Sequence, residues 1–288
     1  VKIATAPGTW GIEPPPQPTD PPWTQIADEI AAAGFDGTEL GPLGYYPTQA
    51  ESLRAMLTAR GLGLPAGFVM EPLAGDRADV VAMAQRTAEL VAAAGGTVLV
   101  LIDGLDQGRV RTAGRSAVAA RLDERGWERL VGTTNLVAEL AAASGLRVAF
   151  HPHAGTFVEF EDEVDRLMDD TTVDLCLDTG HALYAGMDPA QLTQRYAARI
   201  GHVHLKDVNR AMLRSRLEHG AGFIEAVAAG VFTPLGEGSA DLRGVAIALG
   251  QAGYDGWATF EQDRTLATID AALEEARRSL EHARAVGF

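Results

Sequence analysis

Four short runs in the second half of the chain end in side chains that bind metals or move protons. They are VAFHPH, with His151 and His153; DLCLDTGH, with Asp178 and His181; IGHVHLKD, with His202, His204 and Asp207; and GWATFEQD, with Glu261. Most of the seven histidines therefore stand where apolar, strand-like sequence stops. His151, Asp178, His204 and Glu261 form a borderline-hard donor set that suits Mn²⁺, Co²⁺, Fe²⁺, Zn²⁺ or Mg²⁺ and suits Cu⁺ poorly. One divalent ion is expected, with Mn²⁺ or Co²⁺ preferred. Such a cation stabilises the charge that develops on a carbonyl oxygen when the neighbouring carbon loses its proton. His181 and His153 are candidate acids or bases, because imidazole titrates near neutrality. Lys206 is a candidate for stabilising the enolate.

Side chains on different strands meet only if the strand ends converge. Hydrophobic periodicity gives eight β-like runs, at residues 2–6, 36–40, 63–69, 97–103, 147–153, 174–179, 200–206 and 257–261. Helical stretches alternate with them at about 22–33, 48–60, 76–94, 123–144, 161–168, 189–198, 241–252 and 264–286. This alternation, with no break in composition, predicts one α/β domain over residues 1–288, a (β/α)₈ TIM barrel. A doubly wound dinucleotide fold is disfavoured, because the first turn reads Pro7, Gly8, Thr9, Trp10, Gly11. Gly34, Gly61, Gly95 and Gly145 are expected to end helices in the left-handed conformation. Long segments follow the first, fourth and seventh strands, which predicts an elaborated face at the strand C-termini.

On that face Glu39, at the end of the second strand, is expected to bind substrate hydroxyls, and Trp10 with Tyr45 or Tyr46 to form an apolar wall. His202 is expected to face the helices, Asp207 to orient a ligand, and Cys176 to lie in the core. The acidic run at Glu161 reads as a solvated helix start.

With 47% hydrophobic residues, a 288-residue chain can bury a sizeable core. Its net charge of −15 opposes binding to nucleic acid or anionic membrane, and no basic patch offsets it. Its apolar stretches fall far short of the roughly 20 residues needed to span a bilayer. A single cysteine and the absence of a signal-like start predict a cytoplasmic protein. The expected partner is a small polyol or keto-sugar, and a homo-oligomer is compatible with the sequence.

The chain resembles the xylose isomerase-like barrel superfamily, most closely its myo-inosose-2 dehydratases. The stretches that carry the resemblance are GFDGTELG (34–41), HPHAGT (151–156), LDTGHALYAGMDP (177–189), RIGHVHLKDV (199–208), GVFTPLGEG (230–238) and YDGWATFEQD (254–263). The resemblance makes Asp178, His204 and Glu261 metal ligands. Many members carry Glu-X-His on the fifth strand, where this chain reads His151-Pro152-His153, as the inosose dehydratases do. The ketose epimerases use two metal-bound glutamates, of which only Glu261 is present. The resemblance therefore implies a metal-dependent hydro-lyase acting on a keto-cyclitol or keto-sugar of the 2-keto-myo-inositol type. His181 or Glu261 would take the α-proton, and a histidine would assist loss of water. Ketose isomerisation or epimerisation, elimination from a 3-keto-glycoside, and non-catalytic sugar binding are the alternatives. The turn LIDGLDQG departs from the dehydratase pattern at a loop placed to touch substrate.

Overall fold

The computed structural model describes residues 1–264 and 271–288. The main sheet contains β1 (Lys2–Thr5), β2 (Gly37–Thr38), β3 (Ala66–Glu71), β4 (Val98–Asp103), β5 (Arg147–Phe150), β6 (Asp174–Asp178) and β7 (Ile200–Leu205). A two-stranded ribbon, β8 (Asp207–Val208) with β9 (Phe232–Thr233), precedes the last barrel strand, β10 (Trp257–Phe260). The eight sheet strands are parallel, in the order β2-β1-β10-β7-β6-β5-β4-β3.

Gly37 closes the ring by pairing with Gly63, and Thr38 N–H donates to the Gly63 carbonyl at 2.9 Å. The indole of Trp257 packs over this seam. A Cβ on Gly37 would lie 2.6 Å from the Gly63 carbonyl oxygen and 2.8 Å from the indole, so the closure needs glycine. The expected TIM barrel is therefore present, with its second strand shortened to two ladder residues.

The helices are α1 (Trp23–Ala33), α2 (Ala50–Thr58), α3 (Arg77–Ala93), α4 (Gln107–Thr112), α5 (Glu124–Ala143), α6 (Glu161–Asp170), α7 (Thr179–Tyr184), α8 (Pro189–Arg195), α9 (Arg210–Glu218), α10 (Phe223–Ala228), α11 (Leu242–Gln251) and α12 (Ala272–Val286). Each expected helix is found within a few residues; the start of the last one, at 265–270, lies outside the described residues. The four expected capping glycines have φ of 92°, 65°, 91° and 78° in chain order. Among the described residues no helix is long and apolar enough to cross a membrane.

Four short helices, α4, α7, α9 and α10, were not anticipated, and all lie on the strand C-terminal side. Asp106 starts α4 by accepting from Gly108 and Arg109 N–H, and Asn209 starts α9 by accepting from Met212 N–H. The fully buried Arg109 then ties α4 to α6 through a two-bond pair with Glu163, at 2.8 and 2.9 Å. Glu163 is thus buried rather than solvated as the acidic run suggested, and it also accepts from the N–H of Glu159 and Phe160.

Candidate active site

Barrel register brings the ligand-type side chains together. Asp178 pairs with His204 across β6 and β7, and His204 pairs with Thr259 across β7 and β10. Glu261 follows Thr259 by two residues and shares its face, while His151 emerges one residue beyond β5. One ligand atom from each of His151, Asp178, His204 and Glu261 lies within 4.8 Å of every other.

The hydrogen bonds around these four show which atoms face the common point. His151 Nδ1 lies 2.7 Å from the Pro152 carbonyl, which can only accept, so Nδ1 carries the proton and Nε2 is bare. Nε2 then faces Asp178 Oδ2 at 3.3 Å. His204 Nε2 lies 3.0 Å from Glu39 Oε1, leaving Nδ1 turned toward Glu261 Oε2 at 3.1 Å and Asp178 Oδ2 at 3.8 Å. Asp178 spends Oδ1 on the N–H groups of Gly180 and His181, both at 2.8 Å, and so starts α7.

Among the described residues, the buried atoms Asp178 Oδ2 and His204 Nδ1 have no hydrogen-bond partner. Two such atoms, a carboxylate oxygen and an imidazole nitrogen, aimed at one point that Glu261 Oε2 and His151 Nε2 also face, fit a cation there. His151 Nε2, Asp178 Oδ2, His204 Nδ1 and Glu261 Oε2 are the atoms that could hold it.

Charge around the set is concentrated. Lys206 Nζ reaches Asp178 Oδ2 at 3.2 Å, Glu261 Oε2 at 3.1 Å and Asp263 Oδ1 at 3.1 Å. Burial opposes its charge, but Asp178, Asp263 and Glu261 hold the ammonium well above the usual lysine range. Burial likewise opposes charge on Asp178, yet Lys206, then His181 and His151, keep that carboxyl well below its ordinary value. Close approach of Lys206 depends on Gly180, where a Cβ would sit 2.4 Å from Lys206 Cβ.

A second constellation, His153, His181 and Asp263, adjoins the first. The His153 and His181 ring centroids lie 3.8 Å apart, with the planes tilted by 35°. Ala154 fixes both tautomers. Its carbonyl takes the Nδ1 proton of His153 at 2.9 Å, which leaves His153 Nε2 bare. Its N–H donates to His181 Nδ1 at 3.2 Å, which puts the His181 proton on Nε2, 3.5 Å from Asp263 Oδ2. Burial, then His181, pushes His153 well below the usual imidazole range, so the ring is neutral.

The cavity over these groups is lined by His151, His153, His204, Lys206, Glu261 and Asp263, with Ile12, Pro14, Phe68, Met70 and Ile102 as apolar wall. His181 lies beneath His153 and is 2% exposed. Several expectations are corrected here. Glu39 is 1% exposed and meets His202 and His204 rather than substrate. Trp10 is fully buried with its indole N–H on Glu29 at 2.7 Å. The Tyr45 hydroxyl donates to the Pro21 carbonyl and that of Tyr46 meets Thr38 Oγ1, so these three aromatics pack under the early loops. The apolar wall comes instead from Ile12, Phe68, Met70 and Ile102.

His202 faces inward beside His204, because residues two apart on a strand share a face. Asp207 orients backbone, accepting from the N–H of Gly236, Gly238 and Ala240. Asp263 and Glu13, which also lines the cavity, were not singled out from sequence. For Asp263 a signal existed: it stands two residues beyond Glu261, on the same side of an extended run.

The sequence matches the family model described as "xylose isomerase-like TIM barrel" over residues 27–286. It is 36% identical to the rhizopine catabolism protein MocC of Rhizobium meliloti, over 92% of this chain and 82% of that protein. It is 32% identical to inosose dehydratase of Geobacillus thermodenitrificans, over 92% of this chain and 90% of the relative. The IOLI protein with a bound zinc atom superposes with a TM-score of 0.74 at 13% identity, covering 100% of this chain and 99% of the other.

Proposed function

Since the chain belongs to the xylose isomerase-like TIM barrel family, we propose that it is a metal-dependent hydro-lyase that removes water from a keto-cyclitol or keto-sugar of the 2-keto-myo-inositol type. The observation that carries this reading is the pair of adjoining sets: four converging ligand-type atoms that could hold a cation, and a neutral imidazole beside them at the cavity wall. Its relatives include inosose dehydratases. The reaction takes place in a reducing cytoplasm, a setting in which the single buried thiol of Cys176 stays free.

His151, Asp178, His204 and Glu261 hold the divalent metal, with Mn²⁺ or Co²⁺ preferred. When bound, the metal supplies a Lewis acid that lowers the cost of negative charge on the ketone oxygen. His153 Nε2 takes the proton from the carbon beside the ketone, since it is the bare imidazole nitrogen of the second set. Lys206 Nζ donates to substrate oxygen and holds Asp263 in place, and the His181 Nε2 proton steadies Asp263 from below. The imidazolium of His153 then returns the proton to the β-hydroxyl, which leaves as water. One C–H and one C–O bond break, a C=C bond forms, and the resulting enol becomes a dione by tautomerisation.

Ultraviolet absorbance of the dione tests the reading directly. Chelated protein is expected to leave 2-keto-myo-inositol unchanged, and added Mn²⁺ or Co²⁺ to restore turnover. Full turnover after complete removal of metal would overturn the proposal, and proton exchange at the α-carbon without a chromophore would convert it to an isomerase or epimerase.

A further inference from the structure

The pocket over His151, His153 and Lys206 continues outward. Past Glu13, Pro14 and Met70 it opens into an outer chamber, and His153 and Asp263 line both spaces. The inner pocket measures about 90 Å³ and the outer chamber about 440 Å³. Pro14, Met70, Leu105, Phe223, Ile224 and Val227 build the apolar wall of the chamber, and Glu13, Gln17, Asp20, Asp263 and Arg264 give it polar edges.

Leu105 is 44% exposed and Ile224 56%, two of only five large apolar side chains so exposed among the described residues. They come from separate segments, one just after β4 and the other on α10 within the long excursion after β7. Two unrelated loops thus present bare apolar surface to the same opening, next to the candidate reaction centre. A bare cyclitol gains nothing from that wall, because each hydroxyl set against it loses a water partner without replacement.

We propose that the substrate carries an apolar substituent, an alkyl or aryl group, which fills the outer chamber while the ring lies over His151, His153 and Lys206. This inference names the substrate class of the dehydration reading and rests on that reading for where the ring lies. Leu105 sits in the LIDGLDQG turn that follows β4, so the loop after that strand supplies part of the chamber wall.

The test uses the full chain with Mn²⁺ and the mono-O-alkyl myo-inositols from methyl to butyl, each positional isomer titrated by calorimetry. In the best-fitting positional series each added methylene should tighten binding about fourfold. The double variant Leu105→Asp, Ile224→Asp should abolish this gain and leave the affinity for myo-inositol unchanged. Both side chains are exposed, so the melting temperature should hold and show that the fold survives. The inference is overturned if no ether binds, if affinity is independent of chain length in every series, or if the gain persists in the double variant. Failure of the dehydration reading would show elsewhere, as absence of dione from the keto substrate.

Discussion

Glu39 Oε1 lies 3.0 Å from His204 Nε2 and 2.7 Å from His202 Nε2, so one buried carboxylate oxygen gathers both imidazoles of β7. Burial opposes charge on Glu39, but His204 and His202 hold its carboxyl well below the ordinary range. As a carboxylate it takes the Nε2 proton of His204, turns Nδ1 toward Asp178 and Glu261, and makes that imidazole a stronger donor. Glu39→Gln keeps the shape and removes the charge. It should weaken metal affinity roughly 10–100-fold, read by titration with Co²⁺, while KM at saturating metal stays unchanged. A raised KM with metal affinity intact would return Glu39 to the substrate-binding role first expected of it.

Asp178 has two tasks in the proposed site, one for each oxygen, with Oδ1 starting α7 and Oδ2 facing the proposed metal position beside His151 Nε2. The tasks are separable. Asp178→Asn keeps an oxygen for the Gly180 and His181 N–H groups but loses the buried ion pair with Lys206, so the metal-free protein should lose some stability while metal binding falls sharply. Asp178→Ala should lose metal binding equally and a further ~1 kcal/mol of stability as the cap is removed. Equal denaturation midpoints for Asn and Ala would show that the cap contributes nothing.

The convergence of the four proposed ligands was legible because a parallel barrel leaves little freedom: apolar runs set the strands, strand ends set the face, and alternation sets the side. His202 shows the same rule neglected, since it stands two residues from His204 and must share its face. Trp10, Tyr45 and Tyr46 were misplaced for a different reason. They lie in turns, where no period fixes side-chain direction, and their partners Glu29, Pro21 and Thr38 come from other segments. The helices α4 and α7 span only six residues each, too few for a 3.6-residue period to show, so their caps Asp106 and Asp178 were the available signal.

Burial pushes the imidazole of His151 down from 6.5 to about 4, against the pull of Asp178. Between those two values the unfolded chain binds a proton that the folded chain refuses, so stability rises with pH across the window and falls as pH falls through it. For metal-free protein, lowering the pH from 7 to 4.5 should cost roughly 2–3 kcal/mol through His151 alone. His153 is depressed in the same direction and adds to the loss. Urea denaturation at the two pH values checks this, with His151→Gln expected to lose less stability by that amount. Identical pH dependence in parent and variant would mean that His151 is not the buried neutral ring described above.

Lys206 Nζ contacts Asp178 Oδ2 and Glu261 Oε2, the same two oxygens that are offered to the metal. Under the proposed function, ammonium and metal would share ligands and repel across a water-poor site, where charges a few ångströms apart interact by a few kcal/mol at an effective dielectric near 20. Lys206→Met retains most of the side-chain volume and removes the positive charge. Metal affinity should consequently rise, by about tenfold for each ~1.4 kcal/mol of repulsion relieved. Metal-free protein should melt at lower temperature, because Asp178, Glu261 and Asp263 lose their common counter-ion while remaining buried or nearly so. Turnover at saturating metal should drop about 100-fold or more, the scale for losing one donor to a developing oxyanion. Weaker metal binding in Lys206→Met would overturn the competition, and would mean that the lysine holds the carboxylates in their ligating positions.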